Sequence, residues 1–498
     1  NCHSGERSDT RIKEGFWTSS PRLRRVGVGQ NDRLNIMINN FSTYSSPFSW
    51  RYGSEKMRQI FSEENKYKTW RKIWVTLAKA QYKHGLLTKK ELLDLEKHQS
   101  NIDIQRILKI EKDTRHDVVA AIREFAEKAK IGGGKIHLGA TSMDINDNAD
   151  FLSINKALNL IESKLQELLE VFSEKINKYS DLSCMGYTHL QPAEPTTLGY
   201  RLAFYAQDLL TDLEYLRFLK KTIKAKGIKG AVGTSASFVK LLDEKKAQNL
   251  EIDVMKDLGL EAALITNQTY PRKYDLLVAN LLSLIAQSLS KLGFDLRVMQ
   301  SAGFGELQEP FGKSQVGSSA MPFKKNPWNA EQICSLARLI ESLSGVAWGN
   351  ASSTLLERSL DDSANRRAFI PEMFLATDEI LNIATSIIDG LIVHEVKIKK
   401  NLETYWPFSV TEAILMEATK KGADRQKMHE LLKEISMEAW AKVQQGLENP
   451  IKDMLINNLE INKFLSPSEI GKLVDVKGHT GLAREKALKL ARQIKKLR

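Results

Sequence analysis

Cysteine is scarce, with three in 498 residues. Cys2, Cys184 and Cys334 show neither C-x-x-C spacing nor partnering histidines. That excludes a disulfide framework and a zinc site, and it fits a reducing, cytoplasmic setting. Long apolar runs are missing as well. The most apolar stretch, Leu276–Phe294, is interrupted by Asn280, Gln287 and Lys291 and reads as a buried helix, not a membrane span. The chain has no H-E-x-x-H, no G-x-x-x-x-G-K-[ST] and no strand-embedded G-x-G-x-x-G, and "GGGKI" lacks a hydroxyl residue after its lysine. No metal and no cofactor is therefore expected. The absence of low-complexity runs and fixed-period repeats removes solenoids and propellers. Residues 1–36 contain no methionine and no sustained periodicity, so they are expected to lie outside the folded protein, as upstream translation or a disordered extension. Their acids Glu6, Asp9, Glu14 and Asp32 argue against an organellar transit peptide.

What is present is ordinary for a soluble globular protein: 42% hydrophobic and 27% charged residues, enough for two or three domains. The net charge of +12 is spread along the chain instead of forming one basic block, so it singles out no nucleic acid or membrane partner. The basic end "LAREKALKLARQIKKLR" reads as a solvated amphipathic helix.

Helical spacing dominates. "FSEENKYKTWRKIWVTLAKAQYKHG" has Ser62 as N-cap and Gly85 as stop. Leu158, Ile161, Leu165, Leu168, Phe172 and Ile176 recur at intervals of three and four, one face of a bundle helix. Further long helices are predicted from Thr197 to about Lys224, from Tyr274 to Gln300, and from Ala330 to about Ser344. The expected class is all-α with a central bundle of long helices and few strands. The expected division is an N-terminal helical domain at 37–141, the long-helix bundle at 142–393, and a smaller helical domain at 394–498, where turn signals multiply.

Three polar clusters stand apart: "DTRHDVVAAIREF" with His116, "GYTHLQPAEPTT" with His189, and "GSSAMPFKKNPWNAE" at 317–331. Each has a plain explanation. His116 lies at a helix start that Asp113 or Thr114 would cap. His189 sits in a loop stiffened by Pro192 and hydrogen-bonds backbone. Gly, Ser and Lys are common in surface loops. A loop with Ser, Lys and Asn between Gly317 and Pro327 is also able to close over a ligand and supply donors to developing negative charge.

The stretch "GSSAMPFKKNP" resembles the G-S-S-x-M-P-x-K-x-N loop of the fumarase/aspartase superfamily, whose members release fumarate from succinyl or related compounds. Within it, the chain from about Pro47 onward is similar to the adenylosuccinate lyase family. The resemblance is carried by "SWRYGSEKMRQIFSEENKYKTWRKIW", "TRHDVVAAIREF", "HLGATSMDINDNAD", "GYTHLQPAEPTTLGYR", "GAVGTSASF", "NQTYPRKYD" and "LLERSLDDSANRR".

The resemblance implies a three-domain, all-α fold and an anti β-elimination in purine biosynthesis, with adenylosuccinate and succinylaminoimidazole carboxamide ribotide as substrates. It makes Ser318 the general base and Lys324 the cation that activates it and steadies the dianionic intermediate. His189 becomes the general acid, Glu331 its orienting carboxylate, and His116 a second active-site histidine. Thr141, Ser142 and Thr188 hold the succinyl carboxylates. Arg51, Tyr52, Arg358, Ser363 and Arg367 hold the nucleotide end, and Arg115, Asp117, Gln191, Ser235 and Asn326 complete the substrate contacts. Two positions depart from the family's animal-type pattern: Ser235 replaces a glutamine and Gln332 an arginine. A homotetramer with sites built from three chains is implied, with no nucleic acid and no membrane. The alternatives are another fumarate-releasing lyase, such as argininosuccinate lyase, or a basic helical nucleic-acid-binding protein.

Overall fold

The computed structural model describes residues 42–474 and 479–497, so the reading of 1–36 lies outside the described residues. The chain forms two compact units. The described part of the first unit, residues 42–51, is a short 3-10 turn at Pro47–Ser49, capped by Ser46. Arg51 belongs to this unit.

The second unit, Tyr52–Arg498, is helical. In chain order its principal elements are α1 (Glu63–Lys83), α2 (Ile104–Thr114), α3 (Asp117–Lys128), α4 (Ser142–Lys178), β1 (Ser183–Thr188), β2 (Gln191–Thr197), α5 (Leu198–Thr222), α6 (Lys273–Gln300), β3 (Leu307–Gln308), α7 (Trp328–Ser353), α8 (Ser363–Asp389), β4 (Ile392–Val393) and α9 (Glu395–Lys420). The strands form two antiparallel pairs, β1–β2 and β3–β4. The all-α expectation holds.

Five long helices, α4 to α8, pack as the central bundle. Leu158, Ile161, Leu165, Leu168, Phe172 and Ile176 are all 0% exposed, as their spacing requires. Ser62 caps α1 by accepting the Asn65 N–H, and Gly85 follows it at φ +80°, the left-handed stop glycine favours. Helix α6 is long and apolar enough to cross a membrane by length and composition alone, but most of its apolar window is buried, as the reading of Leu276–Phe294 as a buried helix expects. Beyond β4 the helices gather around a second apolar cluster that includes Trp406, Ile414, Ile451 and Ile470. Met185 of β1 joins this cluster.

The bundle has two chemically distinct ends. At one end, Arg272, the residue before α6, pairs with Asp147 in α4 at 3.1 Å and with Asp362, before α8, at 2.5 Å. The N-termini of α4, α6 and α8 therefore meet. At the other end, Arg201 in the first turn of α5 reaches Sδ of Met299 near the C-terminus of α6 at 3.8 Å. The 37 residues of α4 rise about 55 Å and the 28 of α6 about 42 Å, at 1.5 Å per residue.

Candidate active site

None of the candidate site residues named from the sequence is buried, so each is available to a ligand or a neighbouring chain. They divide between the two ends of the bundle, apart from Arg51.

The end where α4, α6 and α8 begin collects His116, Thr141, Ser142, Ser235, Arg358, Ser363 and Arg367. Arg115 adopts φ +50° to close α2, which turns the chain so that His116 caps α3. The Val119 N–H donates to its Nδ1 at 3.5 Å. This corrects the assignment of the cap to Asp113 or Thr114, because Thr114 is the last residue of α2. Asp117 then meets Arg367 Nη2 at 3.1 Å, joining two clusters 250 residues apart in sequence.

Thr141 caps α4, and its N–H donates to Asp144 at 2.8 Å. The same carboxylate is fully buried, pairs with Lys226, and accepts the N–H groups of Lys229 at 3.0 Å and Gly230 at 3.1 Å. A buried anion satisfied this completely is a rigid anchor. It fixes the loop whose Lys229 carbonyl accepts the Ser235 N–H at 2.8 Å, and so it sets Ser235 close to the Thr141–Ser142 turn.

His137, which sequence reasoning did not assign, belongs to this end. It sits at φ +69°, and Trp74 Nε1–H donates to its Nδ1 at 3.2 Å. Burial lowers its pKa to about 4, assisted by His116 and opposed by Asp144, so the ring is neutral at physiological pH. Its signal in the sequence was its place in "HLGATSMD".

Arg358 donates to Asp362 at 2.7 Å, part of a buried network. In that network Arg272 grips Asp147 through two nitrogens, and Arg366 joins Asp275 at 2.8 Å, Asp150 at 3.0 Å and the Tyr270 hydroxyl at 2.8 Å. "NQTYPRKYD" and "LLERSLDDSANRR" thus meet as a framework, with Arg367 exposed at its edge.

The opposite end carries Ser318, Lys324, Asn326, Glu331, Thr188, His189 and Gln191. Thr188 and Gln191 pair across a two-residue turn in which His189 and Leu190 have φ +53° and +59°. Such a turn suits Asn-Gly. With two β-carbons it is strained, and it presents the imidazole to solvent on a hairpin instead of the expected loop.

In the 317–327 loop, a Cβ on Gly317 would stand 2.1 Å from the Lys324 carbonyl oxygen, so only glycine permits this closure. Asn326 Nδ2 donates to the Gly317 carbonyl at 2.9 Å, and the N–H groups of Ala320 and Met321 donate to Ser318 Oγ at 3.3 and 3.1 Å. The hydroxyl thus already lies among backbone donors. The neck is held by Gln300, which accepts the Glu309 N–H and donates to the Lys325 carbonyl, each at 2.9 Å.

Glu309 accepts the N–H groups of Asn329 and Ala330 at 3.2 and 3.1 Å, capping α7 just before Glu331. Burial raises its pKa. Gln332 donates to Glu379 at 3.4 Å, and Glu379 also accepts the Gly53 N–H at 2.9 Å. Tyr52 is thereby placed near the start of α7.

The family model described as Lyase matches residues 51–340, and that of the adenylosuccinate lyase C-terminus matches residues 407–487. The adenylosuccinate lyase of Schistosoma mansoni is 40% identical over 428 residues, covering 84% of this chain and 89% of that protein. That of Saccharomyces cerevisiae is 37% identical, covering 91% and 95%, and that of Methanocaldococcus jannaschii 38%, covering 88% and 93%. Among solved structures, fumarate lyase from Mesorhizobium sp. BNC1 aligns with TM-score 0.78 at 22% identity, covering 90% of this chain and 99% of that one. The 3-carboxy-cis,cis-muconate lactonizing enzyme of Pseudomonas putida has the same TM-score, 0.78, at 24% identity and the same coverage, 90% and 99%. These two establish the fold alone, since one fold hosts several chemistries. The sequence relatives go further: this chain belongs to the adenylosuccinate lyase family of carbon–nitrogen lyases.

Proposed function

We propose that this chain releases fumarate from adenylosuccinate, leaving AMP, and from the succinylated aminoimidazole carboxamide ribotide in the same way. Ser318 takes the proton next to a succinyl carboxylate, and charge builds on that carboxylate as an aci-carboxylate. Lys324 and the loop amides stabilise this charge more than the ground state, which is what lowers the barrier. His189, oriented by Glu331, protonates the departing nitrogen. Histidine suits this task because an ordinary imidazole titrates near neutral pH. Thr141, Ser142 and Thr188 hold carboxylate oxygens. His116 and the guanidinium groups of Arg358 and Arg367 meet the phosphate, with Ser363 beside them.

The observation that carries this reading is conformational. Among the described residues, the non-glycine positions with left-handed backbone are Arg115, His137, His189, Leu190, Ser235 and Leu356. All fall in the stretches that hold these polar side chains. Such strain costs about 1–3 kcal/mol per residue and survives where surrounding structure over-determines it, typically at ligand sites.

Helices of this length keep the two ends apart in one chain, so a complete site requires more than one copy. A cytoplasmic homotetramer, with each site drawing on three chains, meets that requirement. In support, Tyr200, Phe204 and Phe218 form an exposed stripe along one face of α5, and Leu284, Phe294 and Trp348 are exposed on α6 and α7. An apolar surface of this kind marks an interface. Incubating the protein separately with adenylosuccinate and argininosuccinate while following fumarate tests the reading. Release from the first is expected. Release from the second alone contradicts the substrate, and release from neither contradicts the reaction.

A further inference from the structure

Twelve residues before Ser318, the incoming limb of its loop carries Glu306, whose side chain is 0% exposed. The carboxylate serves three donors from three different elements. Arg201 Nη1, in the first turn of α5, lies 3.1 Å from Oε2. The Tyr187 hydroxyl on β1 donates to Oε1 at 3.3 Å, and Asn401 Nδ2 on α9 donates to the same oxygen at 3.0 Å. The backbone of Glu306 is tied as well: its N–H donates to the Met299 carbonyl at 3.0 Å, and its carbonyl accepts the His394 N–H at 2.9 Å.

The partners reinforce one another. Arg201 Nη2 donates to the Met185 carbonyl on β1 at 2.5 Å. Asn401 also donates to the Phe304 carbonyl at 3.0 Å, and the Tyr187 ring stands edge-on to Phe304 with centroids 4.9 Å apart. Tyr187 precedes His189 by two residues, and β2 runs directly into α5. One buried, charged group therefore sits at the common root of the hairpin that displays His189 and the loop that displays Ser318. Well-packed apolar residues stabilise such a place at least as well as a buried ion pair does, so the charge needs another justification, and fixing geometry is the best attested.

We propose that Glu306 is a positioning residue that holds the hairpin and the Ser318 loop in a single register, so that loosening either root displaces both tips. It rests on the roles proposed above for His189 and Ser318. The test uses the full chain in its native assembly, with kcat, KM for adenylosuccinate and Tm measured for Tyr187→Phe, Asn401→Leu, their double variant and Glu306→Gln. Tyr187→Phe removes one hydroxyl on the hairpin side, and Asn401→Leu removes the donor on the loop side.

Each single change is expected to lower kcat about ten- to a hundredfold, the scale of one hydrogen bond to a charged group, with KM within about twofold. The double variant should lose less than the product of the two, because either cut already frees the register. Glu306→Gln should lose more than either single change, since its amide NH2 must face a donor. If it does not fold, the Tyr187 and Asn401 variants still decide. Wild-type kcat in both single variants, or a strictly multiplicative double, overturns the proposal while the function stands. Failure of the unaltered chain to release fumarate removes the function and this proposal with it.

Discussion

Replacing Gly317 by alanine tests the loop closure with one methyl group. No positive φ is at issue at this glycine, so the substitution meets steric exclusion alone: the new Cβ would lie 2.1 Å from the Lys324 carbonyl oxygen and 3.1 Å from a ring carbon of Phe311. To reach ordinary contact the two limbs must separate by about 1 Å or more. Asn326, bonded to the Gly317 carbonyl at 2.9 Å, must yield with them. Ser318 and Lys324 lie on opposite limbs, so their relative position changes by the same amount. A misplacement of about 1 Å at a reacting group costs on the order of a hundredfold in rate. Most of residues 317–325 are exposed, so little apolar burial is lost, and stability should change by less than about 0.5 kcal/mol, as for other surface substitutions. Steady-state fumarate release, followed by ultraviolet absorbance, and a thermal melt separate the two effects. A kcat within about threefold of the parent would refute the idea that this closure sets the base against its lysine.

Burial raises the Asp212 carboxyl to about 6, with Asp208 adding to the shift and the Ser288 hydroxyl, donated at 2.7 Å, opposing it. The folded chain thus keeps this proton while the unfolded chain releases it near pH 4. Stability is lost as pH rises from about 4 to 6 and stays lost above, so Asp212→Asn should raise Tm at pH 8 and leave it unchanged at pH 4. Equal shifts at both values would contradict the assignment. His137 works in the opposite direction. With its folded value lowered to about 4, stability is fully present above about pH 6.5 and falls as the solution is acidified toward 4. In urea titrations His137→Asn should show a slope over that window shallower by up to one proton, and an unchanged slope would show that the ring is not kept neutral. Asp147→Ala strips Arg272 of its two-nitrogen partner at 3.1 Å and leaves the buried guanidinium with Asp362 alone. It should destabilise the chain by about 3–5 kcal/mol, and a loss under about 1 kcal/mol in denaturant unfolding would mean the network is dispensable.

Much of this architecture is legible in the sequence because long helices advertise themselves. The spacing that puts Leu158 through Ile176 on one face comes from the 3.6-residue turn, and nothing distant alters it. Where neighbours decide, the residues alone mislead. Helix α7 runs to Ser353, nine residues beyond its predicted end, straight through Gly345 and Gly349. A Cβ on either glycine would meet nothing, while Ala347 and Asn350 are buried and Asn350 pairs with Asn365 of α8. Packing outweighs the roughly 1 kcal/mol that each glycine costs a helix. The β1–β2 hairpin was read as a loop stiffened by Pro192; in a two-stranded pair each strand has one edge without a strand partner, where proline is tolerated. The Asp147, Arg272, Asp362 and Arg366 network was invisible because acids and arginines on helices look solvated until the fold brings them together. At the site, residue types and motifs marked the polar clusters, but the caps and turns that aim them, such as His116 on α3 and the strained pair His189–Leu190, follow from backbone geometry that no motif reports.

On the proposed function, side chains from opposite ends of the bundle, supplied by different copies, make one site. Ser318→Ala disables one end, and His116→Asn, which keeps a capping side chain on α3, disables the other. Each variant alone should release fumarate far more slowly than the parent. Unfolded together and refolded as a mixture, the two should regain a substantial part of parental activity, because some sites then draw an intact Ser318 loop from one chain and an intact His116 from another. A mixture no more active than its separate components would contradict the account.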